Sequence, residues 1–284
     1  MGLCATPFLS IVIPCHNAGA KISRAIESCL RLRDFSFEII VVDDASTDDT
    51  QTKLSSYVDD RRLNVTKFEG NQGASSARNF GVSIARGEFI IFLDADDYFL
   101  ENASRDFYAA IEENPHLDLY CFGYMINGKK SPKPDSSALH LEFIRKKFSN
   151  TNTFLVRRKA LNGHSFEKKY RVGEDTLFWF KLLLERPSGY FEKYVAYYDY
   201  IPKLNLVDRH PILDLDLENM GVSQKDAKEI RNAVTRNTDM KKAFGRADPI
   251  RISFQKLGVR GLVYWLLGPG LFRPVWNLKH KLKS

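Results

Sequence analysis

Cysteine is scarce in this chain. The four residues, Cys4, Cys15, Cys29 and Cys121, stand far apart in 284 positions, with no C-x-x-C pair. That excludes a zinc ribbon and a disulfide framework. Cys15, Cys29 and Cys121 lie among apolar residues and are expected to be buried thiols of a reducing compartment. Long apolar runs are missing as well, and none approaches the ~20 residues that a membrane-crossing helix needs. The opening MGLCATPFLSIVIP has no basic start, and Pro14 stops its apolar part. No secretory signal is expected, and the expected location is the cytoplasm. Glycine is absent where a phosphate loop would need it. The turn after the first apolar run reads P-C-H-N-A-G-A, neither G-x-G-x-x-G nor a Walker A loop. A Rossmann dehydrogenase and a P-loop NTPase are thereby excluded, so any phosphate must be held by side chains or a metal. No internal repeat or low-complexity tract is present.

In bulk the chain is ordinary. Hydrophobic content of 44% and charged content of 27% suit a globular protein, and the length suffices for a full core. A net charge of +7 favours anionic partners such as phosphorylated ligands or an acidic membrane surface. Residues 8–13, 37–42 and 88–93 are short apolar runs of the buried-strand kind, and residues 63–68 read as a further strand. Between them, residues 19–32 and 73–85 turn helical, and a helix starting near Ser46 would carry Leu54, Tyr57 and Val58 inward. This alternation predicts an α/β sheet, largely parallel over these strands. Farther on, helices are expected at 104–113 and 175–185. Strands are expected at 117–125, 153–157 and 190–200, with a polar loop over 127–137.

Ligands of such sheets bind outside the carboxyl ends of the strands. Three polar clusters fall there: residues 14–17, 43–46 and 94–97. The run EFIIFLDADD is the most informative. If its extended path continues, Asp94 and Asp96 project to the same side. Carboxylates so close repel unless a cation stands by, and Mg²⁺ or Mn²⁺ would complete its shell with phosphate oxygens. The plain alternative is a solvated turn. Asp43 and Asp44 can accept hydrogen bonds from a base or a ribose, or simply cap the next helix. Arg78 is placed to reach an anionic or planar ligand part, or to pair with a surface acid. A nucleoside diphosphate with something attached fits this edge.

The segments SIVIPCHNAGAKISRAIESCL, FEIIVVDDASTDDT, NQGASSARNFGVSIARGEFIIFLDADD and RVGEDTLFWFKLL, in that order, resemble the family 2 glycosyltransferases over roughly residues 7–200. The resemblance implies the α/β GT-A fold, a Rossmann-like mixed sheet flanked by helices. It also implies metal-dependent, inverting transfer of one sugar from a nucleotide-diphosphate sugar to an acceptor hydroxyl. By position, Asp43 and Asp44 sit by the nucleoside, Asp43 at the base. Pro14 and Asn17 belong to the opening nucleotide-binding loop, and Arg78 lies near the base. Asp94 and Asp96 match the DxD motif, with Asp94 on the nucleotide and Asp96 on the metal; Asp97 shares ribose or metal contacts. Asp175 matches the catalytic base, with Phe178 and Trp179 close enough to desolvate it. The implied cofactor is Mn²⁺ or Mg²⁺. The implied partners are a UDP-sugar donor and a glycan or lipid-linked glycan acceptor; nucleic acid is not expected.

The chain also departs from that family. Ala45 stands where glycine is usual, so the backbone there is expected to avoid positive φ. Q-x-x-R-W, the mark of processive synthases, is absent, which favours single-sugar transfer. The arginine-bearing stretch frequent in the family is missing after Asp199. Two other classes compete. A sugar-phosphate nucleotidyltransferase would need a glycine-rich loop bearing Arg and Lys after the first strand. A non-catalytic nucleotide-sugar-binding protein would have no use for Asp175.

The transferase domain is expected to span residues 1–205 and a helical extension 206–284. The extension should hold a helix over 223–244, opened by a Ser223/Asp226 cap. Arg209 and His210 are further candidates for the diphosphate. From Arg260 onward there is no acidic residue, and Trp276 and several lysines follow an apolar run. That composition suits an anionic membrane surface, hence peripheral attachment to the inner face of the plasma membrane, or docking onto the main domain.

Overall fold

The apolar runs of the first hundred residues are the spine of the sheet. In the computed structural model, which describes residues 6–170, 172–199 and 211–245, β1 (Leu9–Cys15) and β2 (Phe37–Asp43) are buried at every position. Continuous apolar runs must be covered on both faces. The two strands pair in parallel, with Leu9 opposite Phe37 and Cys15 opposite Asp43. β3 (Leu63–Lys67) lies outside β2, and β4 (Phe89–Phe92) lies on the other side of β1, both parallel. The crossovers are α1 (Ile22–Leu30), α2 (Thr50–Ser55) and α3 (Ala74–Ile84). α3 approaches β1 closely: a Cβ at Gly81 would stand 2.3 Å from Val12 Cγ1. The chain runs outward from β1 to β3 and returns at β4, so the topological switch lies between β1 and β4.

The remaining elements are β5 (Tyr98–Phe99), α4 (Ala103–Glu113), β6 (Leu119–Ile126), β7 (Lys129–Lys130), α5 (Leu139–Lys146), β8 (Phe154–Arg157), α6 (Glu174–Glu185) and β9 (Ser188–Tyr198). β8 enters between β4 and β6, antiparallel to both. β9 lies parallel to β6 with a bulge at Phe122–Tyr124, and β5 pairs antiparallel with its end. The order is β3-β2-β1-β4-β8-β6-β9-β5, with β7 hairpinned on β6. The sheet is therefore mixed: β1 to β4 are parallel, as are β6 and β9, while β5, β7 and β8 pair antiparallel.

Ile11, Ile13, Ile39, Val41 and Ile91 pack in one core with Ile22, Ile26 and Cys29 of α1 and Phe107 of α4. Elsewhere aromatic rings dominate: Phe166 stacks on Phe178 at 3.9 Å and Phe154 on Trp179 at 4.3 Å. Cys15, Cys29 and Cys121 are buried free thiols, as expected; Cys4 lies outside the described residues.

Two expectations need correction. α2 starts at Thr50, not near Ser46, because Asp43 Oδ1 takes the Ser46 N–H (2.9 Å) and Asn17 Oδ1 takes the Thr47 N–H (2.9 Å). Since α2 ends at Ser55, Leu54 alone of the three expected residues lies within it and is buried; Tyr57 is half-buried and Val58 is 78% exposed. α5 has no counterpart among the sequence expectations. Its Leu139, Leu141, Phe143 and Ile144 are buried.

The chain divides between Ile201 and Pro202 into two compact units. In the second, a 3₁₀ turn (Pro211–Asp214) precedes α7 (Gln224–Gly245). Ser223 Oγ accepts the N–H of Asp226 (3.1 Å) and donates to its carboxylate (2.7 Å), the expected cap. Leu217, Val222, Ala227 and Ile230 are buried there, and Arg231 grips Glu218 through two bonds of 2.9 and 2.8 Å. Arg209, His210 and the segment from Arg260 lie outside the described residues. Among those described, no helix is long and apolar enough to cross a membrane.

Candidate active site

The loops after β1 and β2 are knitted into one body. β4 pairing ends at Val12, so the missing N–H of Pro14 interrupts no ladder there. Asn17 takes a left-handed conformation (φ 51°) that asparagine tolerates. Its N–H donates to Ser46 Oγ (2.9 Å). The His16 Nδ1–H donates to the Asp44 carbonyl (2.7 Å), leaving Nε2 to accept from Asn17 Nδ2 (3.2 Å). Asp43 is fully buried, and its carboxylate accepts from the Ser46 N–H and from Gln51 Nε2. Asp44 reaches the start of α3, accepting the N–H groups of Gln72 (2.6 Å) and Gly73 (2.8 Å). An anion is well placed at those unsatisfied donors.

Ala45 overturns its expectation, with φ at 57°. The Asp43 carbonyl accepts the Ala45 N–H at 2.9 Å, a tight reversal that lets Ser46 fold back while Asp44 points to α3. A left-handed alanine costs roughly 1–2 kcal/mol, which glycine would avoid.

A second cluster forms where β4 ends. Arg78, only 5% exposed, donates to Asp94 Oδ1 (2.8 Å) and to Glu174 Oε1 (3.3 Å), and its guanidinium lies 5.2 Å from the Phe166 ring. Burial opposes its charge, but Asp94, Asp175 and Glu174 hold its pKa above the usual arginine value. The guanidinium thus joins the DxD motif to the first turn of α6, where Asp175 sits. Asp175 Oδ1 accepts the Thr176 N–H (2.7 Å). Phe178 and Trp179 are buried against Phe166 and Phe154.

Asp97 is fully buried. One oxygen accepts from Asn152 Nδ2 and the other from the Asp199 N–H (2.7 Å). Asp199 in turn accepts from Arg24 (2.8 Å) and Lys21 (3.1 Å), and Arg24 also donates to the Asp96 carbonyl (2.8 Å). Asp96 itself is half-buried. Negative charge is in excess here. Burial, then Asp94, pushes the Asp97 carboxyl well above the usual range. Burial and the adjacent Asp175 push Glu174 up to about 7 despite Arg78.

Such a site favours an added cation. No three acid, histidine or cysteine side chains among the described residues close into a metal cage. Mg²⁺ or Mn²⁺ is commonly bound by one or two carboxylates together with substrate phosphates and water. β4 ends at Phe92 and the Asp97 N–H closes a turn on the Asp94 carbonyl, so the extended path that would send Asp94 and Asp96 to the same side does not continue; their carboxylates are the ones that could hold such an ion.

The structure therefore brings Asn17, Asp43 and Asp44 together in one cluster and Arg78, Asp94, Asp97 and the first turn of α6 in another, with α3 touching both. Expected near the base, Arg78 has its guanidinium on Asp94 and Glu174. Asn152, Asp199 and Arg24 are participants that sequence reasoning missed. The signal for Asn152 was the polar Asn150-Thr-Asn-Thr153 run directly before an apolar strand.

This chain belongs to glycosyl transferase family 2, whose model matches residues 10–177, a span holding every candidate from Pro14 to Asp175. Two curated relatives illustrate its neighbours. The poly(ribitol-phosphate) beta-N-acetylglucosaminyltransferase TarS of Staphylococcus aureus is 30% identical over 189 residues, 62% of this chain and 32% of its own. The GalNAc(5)-diNAcBac-PP-undecaprenol beta-1,3-glucosyltransferase of Campylobacter jejuni is 32% identical over 198 residues, 66% and 63% of the two chains. The chain spans about a third of the length of several curated relatives it matches, TarS among them. In structure, TarS bound to UDP superposes with a TM-score of 0.60 at 23% identity, covering 94% of this chain and 77% of its own. A mannosyltransferase from Pyrobaculum calidifontis, solved with GDP-Man and Mn²⁺, gives 0.56 at 15% identity, covering 98% and 81%. The shared fold is GT-A.

Proposed function

We propose that the chain transfers a single sugar from a nucleoside diphosphate sugar, a uridine one, to an acceptor hydroxyl during assembly of a surface glycan. One observation carries the reading: Arg78 ties Asp94 to the first turn of α6, so the base candidate Asp175 stands beside the DxD motif. The UDP complex of TarS supports a uridine donor. The lipid-linked acceptor in the name of the Campylobacter relative supports a similar acceptor here and peripheral membrane attachment. Residues 1–205 would be the transferase domain and 206–284 its extension.

In this reading the loops bearing Pro14, Asn17, Asp43 and Asp44 receive the nucleoside, and Asp96 faces the diphosphate. A bound Mn²⁺ or Mg²⁺, held through Asp96 and seen for Mn²⁺ in the Pyrobaculum enzyme, would act as a Lewis acid that offsets charge on the departing diphosphate. Asp175 takes the acceptor hydroxyl's proton as its oxygen attacks the anomeric carbon opposite the leaving group, which inverts the configuration. General-base assistance of that kind is worth ~10²–10⁴ in rate. The Thr176 N–H holds the plane of the Asp175 carboxylate.

The test is a screen of nucleotide sugars for Mn²⁺-dependent thermal stabilisation and hydrolysis, repeated with Asp175→Asn. Donor binding retained with transfer lost supports the enzyme. Transfer undiminished in the variant removes Asp175 from the mechanism, and silence toward every donor defeats the proposal.

A further inference from the structure

Asn152 occupies an unusual position for an asparagine. It is fully buried, in the 3₁₀ turn that precedes β8. β8 runs antiparallel to β4 with Ile91 opposite Leu155, and carrying that register past the strand ends brings residue 152 opposite residue 94. There Asn152 uses both ends of its amide. Its Oδ1 accepts the Asp94 N–H at 3.0 Å, and its Nδ2 donates to Asp97 Oδ2. Between these two residues the chain makes a turn closed by the Asp97 N–H on the Asp94 carbonyl (2.9 Å). The other Asp97 oxygen is held by the Asp199 N–H.

We infer that Asn152 and Asp97 form an internal clamp that sets the shape of the DxD turn, with Asn152 a positioning residue and Asp97 its acceptor, not a cation ligand. Both Asp97 oxygens already accept from protein N–H groups, and the side chain has no surface exposed. Asp96, the residue between the clamped ends, is half-buried and oriented through its own carbonyl by Arg24. A buried amide that lacked either partner would lose a bond it cannot regain from water, so the pair is held only when both members are right. The clamp shapes the turn whatever the turn binds; its link to donor binding rests on the proposed function.

The bonding pattern permits an exchange of roles. In the double variant Asp97→Asn with Asn152→Asp, the amide at 97 donates to the carboxylate at 152 and accepts the Asp199 N–H. The carboxylate at 152 still accepts the Asp94 N–H. All three bonds survive, although the negative charge has moved. Asn152→Asp alone sets two carboxylates face to face, and Asp97→Asn alone sets an amide donor against the Asp199 N–H.

Melting temperatures of the four proteins, free of metal and nucleotide, and calorimetric titration with MnCl₂ and UDP decide the matter. Each single variant should melt about 5–10 °C below the parent. The double variant should return to within about 2 °C of it and bind Mn²⁺ with UDP within about threefold of its affinity. A double variant that is stable yet no longer binds Mn²⁺ with UDP overturns the assignment, because the Asp97 carboxylate is then itself required. One that melts as low as the two losses combined, or fails to fold, overturns the clamp. A parent that binds neither ligand defeats the donor-site reading alone, and the melting data still judge the clamp.

Discussion

The guanidinium of Arg78 meets Glu174 Oε1 at 3.3 Å, so a residue in the middle of α3 holds the first turn of α6. Its second partner, Asp94, closes the bridge at 2.8 Å. Removing a buried cation from between two acids leaves their charges without compensation. Arg78→Ala should cost about 3–5 kcal/mol in urea unfolding, as loss of one member of a buried pair does. Arg78→Lys keeps the charge but cannot present two N–H groups in a fixed fork. It should recover much of the stability while kcat/KM for transfer stays low. A loss below about 1 kcal/mol for Arg78→Ala would mean that the bridge is a surface-grade ion pair.

Glu174 makes stability depend on pH. Its carboxyl titrates at about 7 in the folded protein against 4.5 ordinarily, because burial and Asp175 disfavour its charge. Between those values the folded chain holds a proton that the unfolded chain has released. Stability from this group is therefore full below 4.5 and is lost as pH rises through about 7. Asp97, also raised, acts in the same direction. The protein without metal should melt higher at pH 6 than at pH 8. Glu174→Gln keeps an acceptor for Arg78 and should flatten that slope, exceeding the parent's melting temperature at pH 8. A slope unchanged in the variant would place the titration elsewhere.

How much of this was legible in the sequence depended on whether a feature was local. β1, β2 and β4 announce themselves as continuous apolar runs, and the acids that end β2 and β4 mark the ligand edge. The insertion of β8 between β4 and β6 was not legible, since four residues of strand carry no record of their neighbours. The polar run around Asn152 could be seen, but its partner could not: only the antiparallel register brings it to Asp94. α5 escaped because Leu139, Leu141 and Phe143 alternate in the manner of a strand. Its helix is sustained by burying those residues and by Arg145 and Lys146 on the buried Glu142. Arg78 was singled out from its place on α3 as a ligand contact, but α6 is remote in sequence and its pull on the guanidinium could not be read.

Ala45 offers a gain in stability. At φ 57° its Cβ is strained, and a glycine there is not. The strain relieved is partly offset by the greater freedom of glycine in the unfolded chain. Ala45→Gly should add about 1 kcal/mol, a rise in melting temperature of about 2–4 °C for a chain of this size. Because the neighbouring Asp44 and Ser46 keep their bonds, donor affinity should not fall. A variant less stable than the parent would show that the left-handed turn is not held in solution.

Asp44 joins the loop after β2 to the start of α3 through one carboxylate. Its oxygens accept from Gln72 and Gly73 at 2.6 and 2.8 Å, and its carbonyl accepts from His16. It is 2% exposed, so water cannot replace what is lost on truncation. Asp44→Ala would leave two N–H groups at the start of α3 without an acceptor, at about 1–3 kcal/mol for each buried donor. Asp44→Asn keeps one acceptor oxygen, but its amide N–H₂ would face a second donor, so it should restore less than half of the loss. Both variants should weaken donor binding more than they slow the chemical step, because Asp44 meets only the start of α3, whereas Arg78, farther along that helix, holds the turn bearing the base candidate. That pattern, a raised KM with kcat preserved, separates Asp44 from Asp175, whose removal should lower kcat with little change in donor affinity. Equal losses in both parameters at Asp44 would assign it a part in the reaction itself.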